Sequence, residues 1–236
     1  MIKIAICDDE KTGQTSLEEL IRNSGVFEDA EFCYFESGHA LTDSYKDGNR
    51  YGFVFLDVDM PGVNGLDAGM FINETDPKAI IIFYSAYPQY AIDAFDCNAF
   101  HYIVKGVDGE KFNKVMRRAY DKYRRLNEMF VFKTKDGVAN IPLSDILYIE
   151  YMKKHLIIHT QDGTFETRDS MISACDRLCG FGFYLCHQSF LVNFEKVHRI
   201  MKKDILLTNG EKIMISVRKR TEIISAYNRY IENFVL

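Results

Sequence analysis

Residues 53–65 read FVFLDVDMPGVNG. Four apolar residues, Phe53 to Leu56, lead into Asp57; Val58 and Asp59 follow, then a Met-Pro-Gly turn. Burying a carboxylate is costly unless it is paired, so a hydrophobic strand that ends on Asp57 has to hold a charge there. A short, continuous apolar run closed by turn residues is the pattern of a strand covered on both faces.

Working outward, the same pattern recurs in MIKIAIC (1–7), EFCYF (31–35), AIIIFYSA (79–86) and AFHYIVK (99–105). Helical segments lie between them, for example Ser16–Asn23 and Ala68–Glu74. The last runs from Glu110 to about Arg125 and carries Phe112, Val115, Met116, Ala119 and Tyr123 at helical spacing. Five strands alternating with five helices predict an α/β domain, a flavodoxin-like doubly wound parallel sheet over residues 1–126. In such sheets functional groups gather beyond the carboxyl ends of the strands.

The pattern changes near YRRLNEMFVF (123–132). Short strands then alternate with turn signals, and Asp136-Gly137, Asp162-Gly163 and Asn209-Gly210 predict hairpins. Helical patterning returns only at Met171–Leu178 and Val217–Phe234. Residues 127–236 therefore form a second, mostly-β domain.

Of the 236 residues 47% are hydrophobic and 27% charged, which supports a packed core and argues against disorder. No apolar run reaches the ~20 residues that cross a bilayer, and the acidic start MIKIAICDDE lacks the pattern of a secretory signal; a cytoplasmic protein without membrane contact is expected. The six cysteines include no CxxC pair and are expected to be reduced thiols. Residues 1–130 contain 14 Lys+Arg and 22 Asp+Glu (−8), residues 131–236 contain 15 and 12 (+3). An acidic half joined to a basic half suggests a regulatory unit attached to one that meets a polyanion.

The five-strand reading puts Asp57 at the end of strand three and Asp8 and Asp9 at the end of its neighbour, strand one. Ser85 ends strand four and Lys105 ends strand five. Burial and mutual repulsion oppose three carboxylates in one crevice, and a hard divalent cation such as Mg²⁺ relieves that conflict. Acids, a hydroxyl and an amine at one edge are the parts of phosphoryl transfer to a carboxylate: Asp57 as nucleophile, the metal and Lys105 neutralising oxygens, Ser85 hydrogen-bonding the transferred group.

ICDDE, FLDVDMPGVNG, IIFYSAYPQYAIDAF and AFHYIVK resemble the receiver (CheY-like) domain of two-component response regulators, over the whole of residues 1–126. The resemblance implies Asp57 as phosphoacceptor, Asp8 and Asp9 as metal-site acids, and the Asp59 backbone carbonyl as a further metal ligand. It implies Ser85 as the switch hydroxyl, Lys105 as the phosphoryl-contacting lysine and Tyr102 as the switch aromatic. Two positions depart from the family. A proline in cis usually follows the lysine, where this chain has Gly106; a non-proline cis bond costs about 3 kcal/mol, so a trans and more mobile loop is expected. Asp59 adds a charge beside the acceptor. LDVDMPG also resembles the D-x-D motif of haloacid-dehalogenase-like phosphatases, with Asp57 and Asp59 as the pair, but that motif belongs on a first strand with its paired acids after it, and here Asp8-Asp9 come first.

The second half shows no nucleophile–base set and no zinc spacing. It presents polar loops: MKKH (152–155), CHQS (186–189) and VRKR (217–220). LSDILYIEYMKKHLIIHT, FYLCHQSFLVNFEKV and LTNGEKIMISVRKR resemble the LytTR DNA-binding domain across about residues 128–234, a ten-stranded fold that inserts loops into successive major grooves. By position the base-contacting candidates are His155, Gln188 and Arg218, with His187, Ser189, Lys154, Lys219 and Arg220 as phosphate-facing support. The combined reading is a transcriptional regulator, not an enzyme. A sensor histidine kinase phosphorylates it, and it binds double-stranded promoter DNA as a homodimer. A C-terminal half that binds protein or RNA is the alternative, and salt dependence on a duplex site separates the two.

Overall fold

The computed structural model describes residues 1–234 and divides into two compact units, Met1–Tyr123 and Arg124–Leu236. In the first, strands β1 (Ile2–Cys7), β2 (Ala30–Phe35), β3 (Phe53–Leu56), β4 (Ile80–Ser85) and β5 (His101–Val104) form one parallel sheet in the order β2-β1-β3-β4-β5. Every residue of β3 and β4 is buried, as central strands with helices on both faces require. Helices α2 (Gly38–Lys46) and α3 (Gly65–Thr75) cover one face, where Leu41, Tyr45, Ala68 and Ile72 pack with Ala5, Cys7, Val54 and Leu56. The segment after α1 (Lys11–Asn23) and helix α4 (Gly109–Asn127) meet Phe53 and Tyr84 through ring contacts made by Phe27, Phe112 and Tyr123.

The crossover between β4 and β5 is not the fourth helix that alternation predicts. It forms two 3₁₀ turns, Pro88–Ala91 and Asp93–Phe95. Pro88 cannot donate a helical N–H, and Asp93, Asp96 and Asn98 favour local turns; Asn98 adopts a left-handed φ of 51°. The result leaves Ile92 and Phe95 78% and 79% exposed.

Among the described residues the second unit contains ten strands. β10 (Thr164–Thr167), β9 (His155–Thr160), β8 (Ile146–Met152), β12 (Phe190–Asn193) and β11 (Phe183–His187) form an antiparallel sheet in that spatial order. One face packs Ile149, Ile158 and Leu191 against Phe130 and Phe132 of the hairpin β6 (Met129–Thr134) and β7 (Gly137–Pro142), with Ala174 and Leu178 of helix α5 (Met171–Leu178). The other packs Tyr148 and Val192 against β13 (Val197–Ile200), β14 (Asp204–Leu207), β15 (Lys212–Met214) and α6 (Arg220–Phe234). Among the described residues no helix is long and apolar enough to cross a membrane.

Candidate functional site

β1 and β3 are neighbours from which the sheet runs in opposite directions, so the groups beyond their ends share a crevice. Asp8 (2% exposed) and Asp57 (8% exposed) lie there, and both point at one amine. Lys105 Nζ stands 2.5 Å from Asp57 Oδ2 and 2.8 Å from Asp8 Oδ2. Burial works against the Lys105 ammonium, but its hydrogen bonds to Asp57 and Asp8 outweigh this and raise its pKa above the ordinary lysine range. The Cys7 thiol is pushed up to about 12, first by burial and then by the charges of Asp8, Asp57 and Asp9.

Two glycines let backbone approach these acids. A Cβ on Gly65 would stand 1.9 Å from the Asp57 carbonyl oxygen, and one on Gly13 would stand 2.4 Å from Asp8 Oδ2. Asn64 caps α3 by accepting the Asp67 N–H at 2.9 Å, which fixes the turn that follows Asp57. Asp57 Oδ1 accepts the Val58 N–H at 2.6 Å, leaving Oδ2 for the cation.

Ser85 is fully buried and its hydroxyl has no well-aligned partner within the protein, whereas its carbonyl accepts the Lys105 N–H at 2.8 Å. Tyr102 stacks on Phe83, and its hydroxyl donates to the Tyr87 carbonyl. Asp9 and Asp59 are exposed. The Tyr87 hydroxyl bonds the Asp59 carboxylate, and that bond and charge raise the Tyr87 pKa. The chain is trans throughout the described residues, Lys105–Gly106 included, with Gly106 at φ 86°.

In the second unit, three turns meet at one end of the sheet. Lys153 and Lys154 form the two-residue turn between β8 and β9, with Met152 paired to His155. Both lysines are left-handed, at φ 51° and 68°, as in a type I′ turn that normally takes Asn-Gly. Gln188-Ser189 joins β11 to β12, and the Tyr151 N–H donates to the Ser189 carbonyl at 2.9 Å, placing the two turns side by side. The Ser216 N–H donates to the Cys186 carbonyl at 3.1 Å, which brings the 3₁₀ turn Val217–Lys219 to the same end. Lys154, Gln188 and Arg218 are exposed there, with Lys219 and Arg220 half-buried beside them. His187 is held inside its hairpin, Nδ1 accepting the Ser189 N–H at 3.2 Å. His155 is half-buried and its Nδ1 lies 3.1 Å from Glu166 Oε1.

A response regulator receiver domain model matches residues 4–117, and a LytTr DNA-binding domain model matches residues 136–228. The chain is 30% identical over 209 residues to the sensory transduction protein LytT of Oceanobacillus iheyensis, covering 84% of this chain and 83% of that one. It belongs to the LytT-type response regulators. LytT of Bacillus subtilis is 25% identical over 235 residues (92% and 95% covered), and the transcriptional regulatory protein YpdB of Escherichia coli is 24% identical over 212 (84% and 86%).

This response regulator is thus the DNA-binding output component of a two-component system. Its crevice can be tested for a metal from its own donors. Among the described residues no three His, Cys, Asp or Glu side chains form a preformed cage. Two buried carboxylates nonetheless converge on one cation. That all-oxygen set suits Mg²⁺, which keeps several waters and takes one or two carboxylates. Sequence reasoning missed the left-handed Lys153 and the Tyr87–Asp59 bond; neither a Lys-Lys pair nor a tyrosine in a turn signals them.

Proposed function

We propose that Asp57 accepts a phosphoryl group from a phosphohistidine of a sensor histidine kinase, and that this changes how the regulator binds promoter DNA. Asp57 Oδ2 attacks phosphorus, the P–N bond breaks, and the imidazole keeps the bonding pair. Lys105, already on Oδ2, moves with the charge onto the phosphoryl oxygens. Ser85 offers its unpartnered hydroxyl to the same group, and Tyr102 leaves Tyr87 to fill the space. Asp8, Asp9, Asp57 and the Asp59 carbonyl would hold Mg²⁺, which when bound would supply positive charge to the transferring oxygens. Water hydrolyses the acyl phosphate in the same site, so the receiver promotes its own phosphorylation and dephosphorylation without being an enzyme on another substrate.

The observation that carries this reading is the Lys105 amine shared by two buried carboxylates at adjacent strand ends. In the second unit the three convergent turns support His155, Gln188 and Arg218 as base readers, with Lys154, His187, Ser189, Lys219 and Arg220 at phosphates. We place the regulator in the cytoplasm, as a homodimer when phosphorylated. Intact mass after incubation with acetyl phosphate and Mg²⁺ tests the acceptor: one phosphoryl group is expected on the native chain and none on Asp57→Asn. Equal labelling of both overturns it.

A further inference from the structure

The second unit carries a cavity of about 810 Å³ between β6, β10 and α5. Its volume lies within the ~300–1,000 Å³ of small-molecule sites and far exceeds the room one inorganic ion needs. Val131, Phe132 and Val138 give it an apolar wall. Val131 and Val138 are 47% and 68% exposed, a large apolar outlay for a surface hairpin.

The charges around that wall do not cancel. Glu166 is engaged by His155 at 3.1 Å and Lys135 at 3.5 Å, and Asp169 lies 3.7 Å from Arg177. Arg177 is fixed further, donating to the Val131 carbonyl at 2.5 Å and lying 4.2 Å over the Phe130 ring. Both acids are therefore paired, and the walls that carry them are braced before anything binds. Lys133 and Arg168 remain at the rim, exposed, with no carboxylate within ion-pair distance among the described residues. Two unmatched cations beside an apolar wall select a negative head on a flat apolar body. Phosphate alone would satisfy the cations and leave the wall wet.

We propose that this cavity binds a small organic anion of the aryl carboxylate class, giving the DNA-binding unit a ligand input separate from the receiver. His155, a candidate base reader, lines the same cavity.

The test uses the full-length chain and 2-naphthoate, followed by calorimetry, with 2-naphthylmethylammonium and inorganic phosphate as comparators. Expected are one saturable naphthoate site per chain, no binding of the cation and no competition by phosphate. Val138→Asp and Arg168→Glu should each weaken naphthoate about fivefold or more, with unchanged thermal midpoints because both positions are exposed. Lys202→Glu, on the β13–β14 turn, should leave binding unchanged. The proposal fails if naphthoate does not saturate, if the cation binds equally well, or if Val138→Asp and Arg168→Glu bind naphthoate like the native chain. It also fails if Arg168→Glu lowers only the salt dependence of DNA binding, since the rim cations then serve the duplex.

Discussion

Lys105 holds Asp57 Oδ2 at 2.5 Å although the backbone after it runs trans into a left-handed glycine. What aims the lysine is the strand behind it: its own N–H pairs with the Ser85 carbonyl at 2.8 Å, so β4 fixes where its side chain begins. Lys105→Ala leaves Asp8 and Asp57 facing each other without a cation. Breaking a buried ion pair by removing one partner costs several kcal/mol; with Lys105 partly exposed, a loss of about 2 kcal/mol is expected. Mg²⁺ should then raise the unfolding midpoint of the variant more than that of the native chain, since metal and amine no longer compete for the same oxygens. Identical Mg²⁺ responses would remove the acid pair as the metal site.

Ser85→Ala separates function from stability. A buried hydroxyl with no partner carries a desolvation cost of about 1–3 kcal/mol, so removing it should leave the receiver as stable or more so. Phosphorylation-dependent DNA binding should nevertheless fall, because the phosphoryl group loses its hydroxyl donor. A destabilised variant with normal phosphorylation response would make Ser85 a packing residue only.

How much of this was legible beforehand depended on whether a feature has a signal in its own residues. β3, which ends one residue before Asp57, and β4, which ends on Ser85, are apolar over four and five residues, and their ends set the crevice. Helical patterning was legible around Met171–Leu178, where the structure has α5, and there the Ser170 side chain caps the helix by accepting the Ser173 N–H. The β4–β5 crossover misled because YPQYAIDAF shows apolar residues at helical spacing, while Pro88 and the carboxylates favour short turns. The Lys153-Lys154 turn was legible as a loop, but its left-handed backbone was not: the register of β8 and β9 forces it, against the preference of lysine. That Glu166 holds His155 depends on β10 pairing beside β9, which no local pattern announces.

The forced lysine turn makes a prediction of opposite signs. Non-glycine residues in the left-handed region cost of order 1 kcal/mol or more each, and Asn-Gly suits a type I′ turn. Lys153→Asn with Lys154→Gly should raise the midpoint of the second unit by about 4 °C or more. Removing two cations from the DNA edge should reduce the salt slope of duplex binding by about 1.8. Both movements can be read from one preparation, by thermal melts and by a salt series on duplex DNA. A variant that gains stability with an unchanged salt slope would take both lysines out of the DNA interface.

Acid sensitivity should begin at His101. Burial, and secondarily Arg118, lowers its pKa below the ordinary 6.5. Its unfolded form then takes a proton before its folded form does, so its contribution is complete above about 6.5 and is lost as pH falls through the lower folded value. Glu18, held down first by the Tyr34 hydroxyl, acts only below its usual 4.5. Denaturant melts between pH 7 and 5 should show declining stability in the native chain and a flatter profile in His101→Gln. Parallel profiles would assign the decline elsewhere.

Arg218 stands in the 3₁₀ turn Val217–Lys219, exposed, on backbone tied to β11 through the Ser216–Cys186 hydrogen bond. That anchorage ties its turn to the end of β11 that leads into Gln188. Its planar fork can donate to both O6 and N7 of guanine, a contact worth about 1–3 kcal/mol of discrimination. Arg218→Ala should weaken the cognate complex by that amount and relax preference at one base pair, with little change on a scrambled duplex. Lys219 is half-buried and offers a point charge; Lys219→Ala should weaken both duplexes alike and lower the salt slope by about 0.9. Titrating both variants on both duplexes across a salt series distinguishes reading from clamping. Equal losses on cognate and scrambled DNA for Arg218→Ala would make Arg218 a phosphate clamp, and the base-reading role would pass to His155 and Gln188.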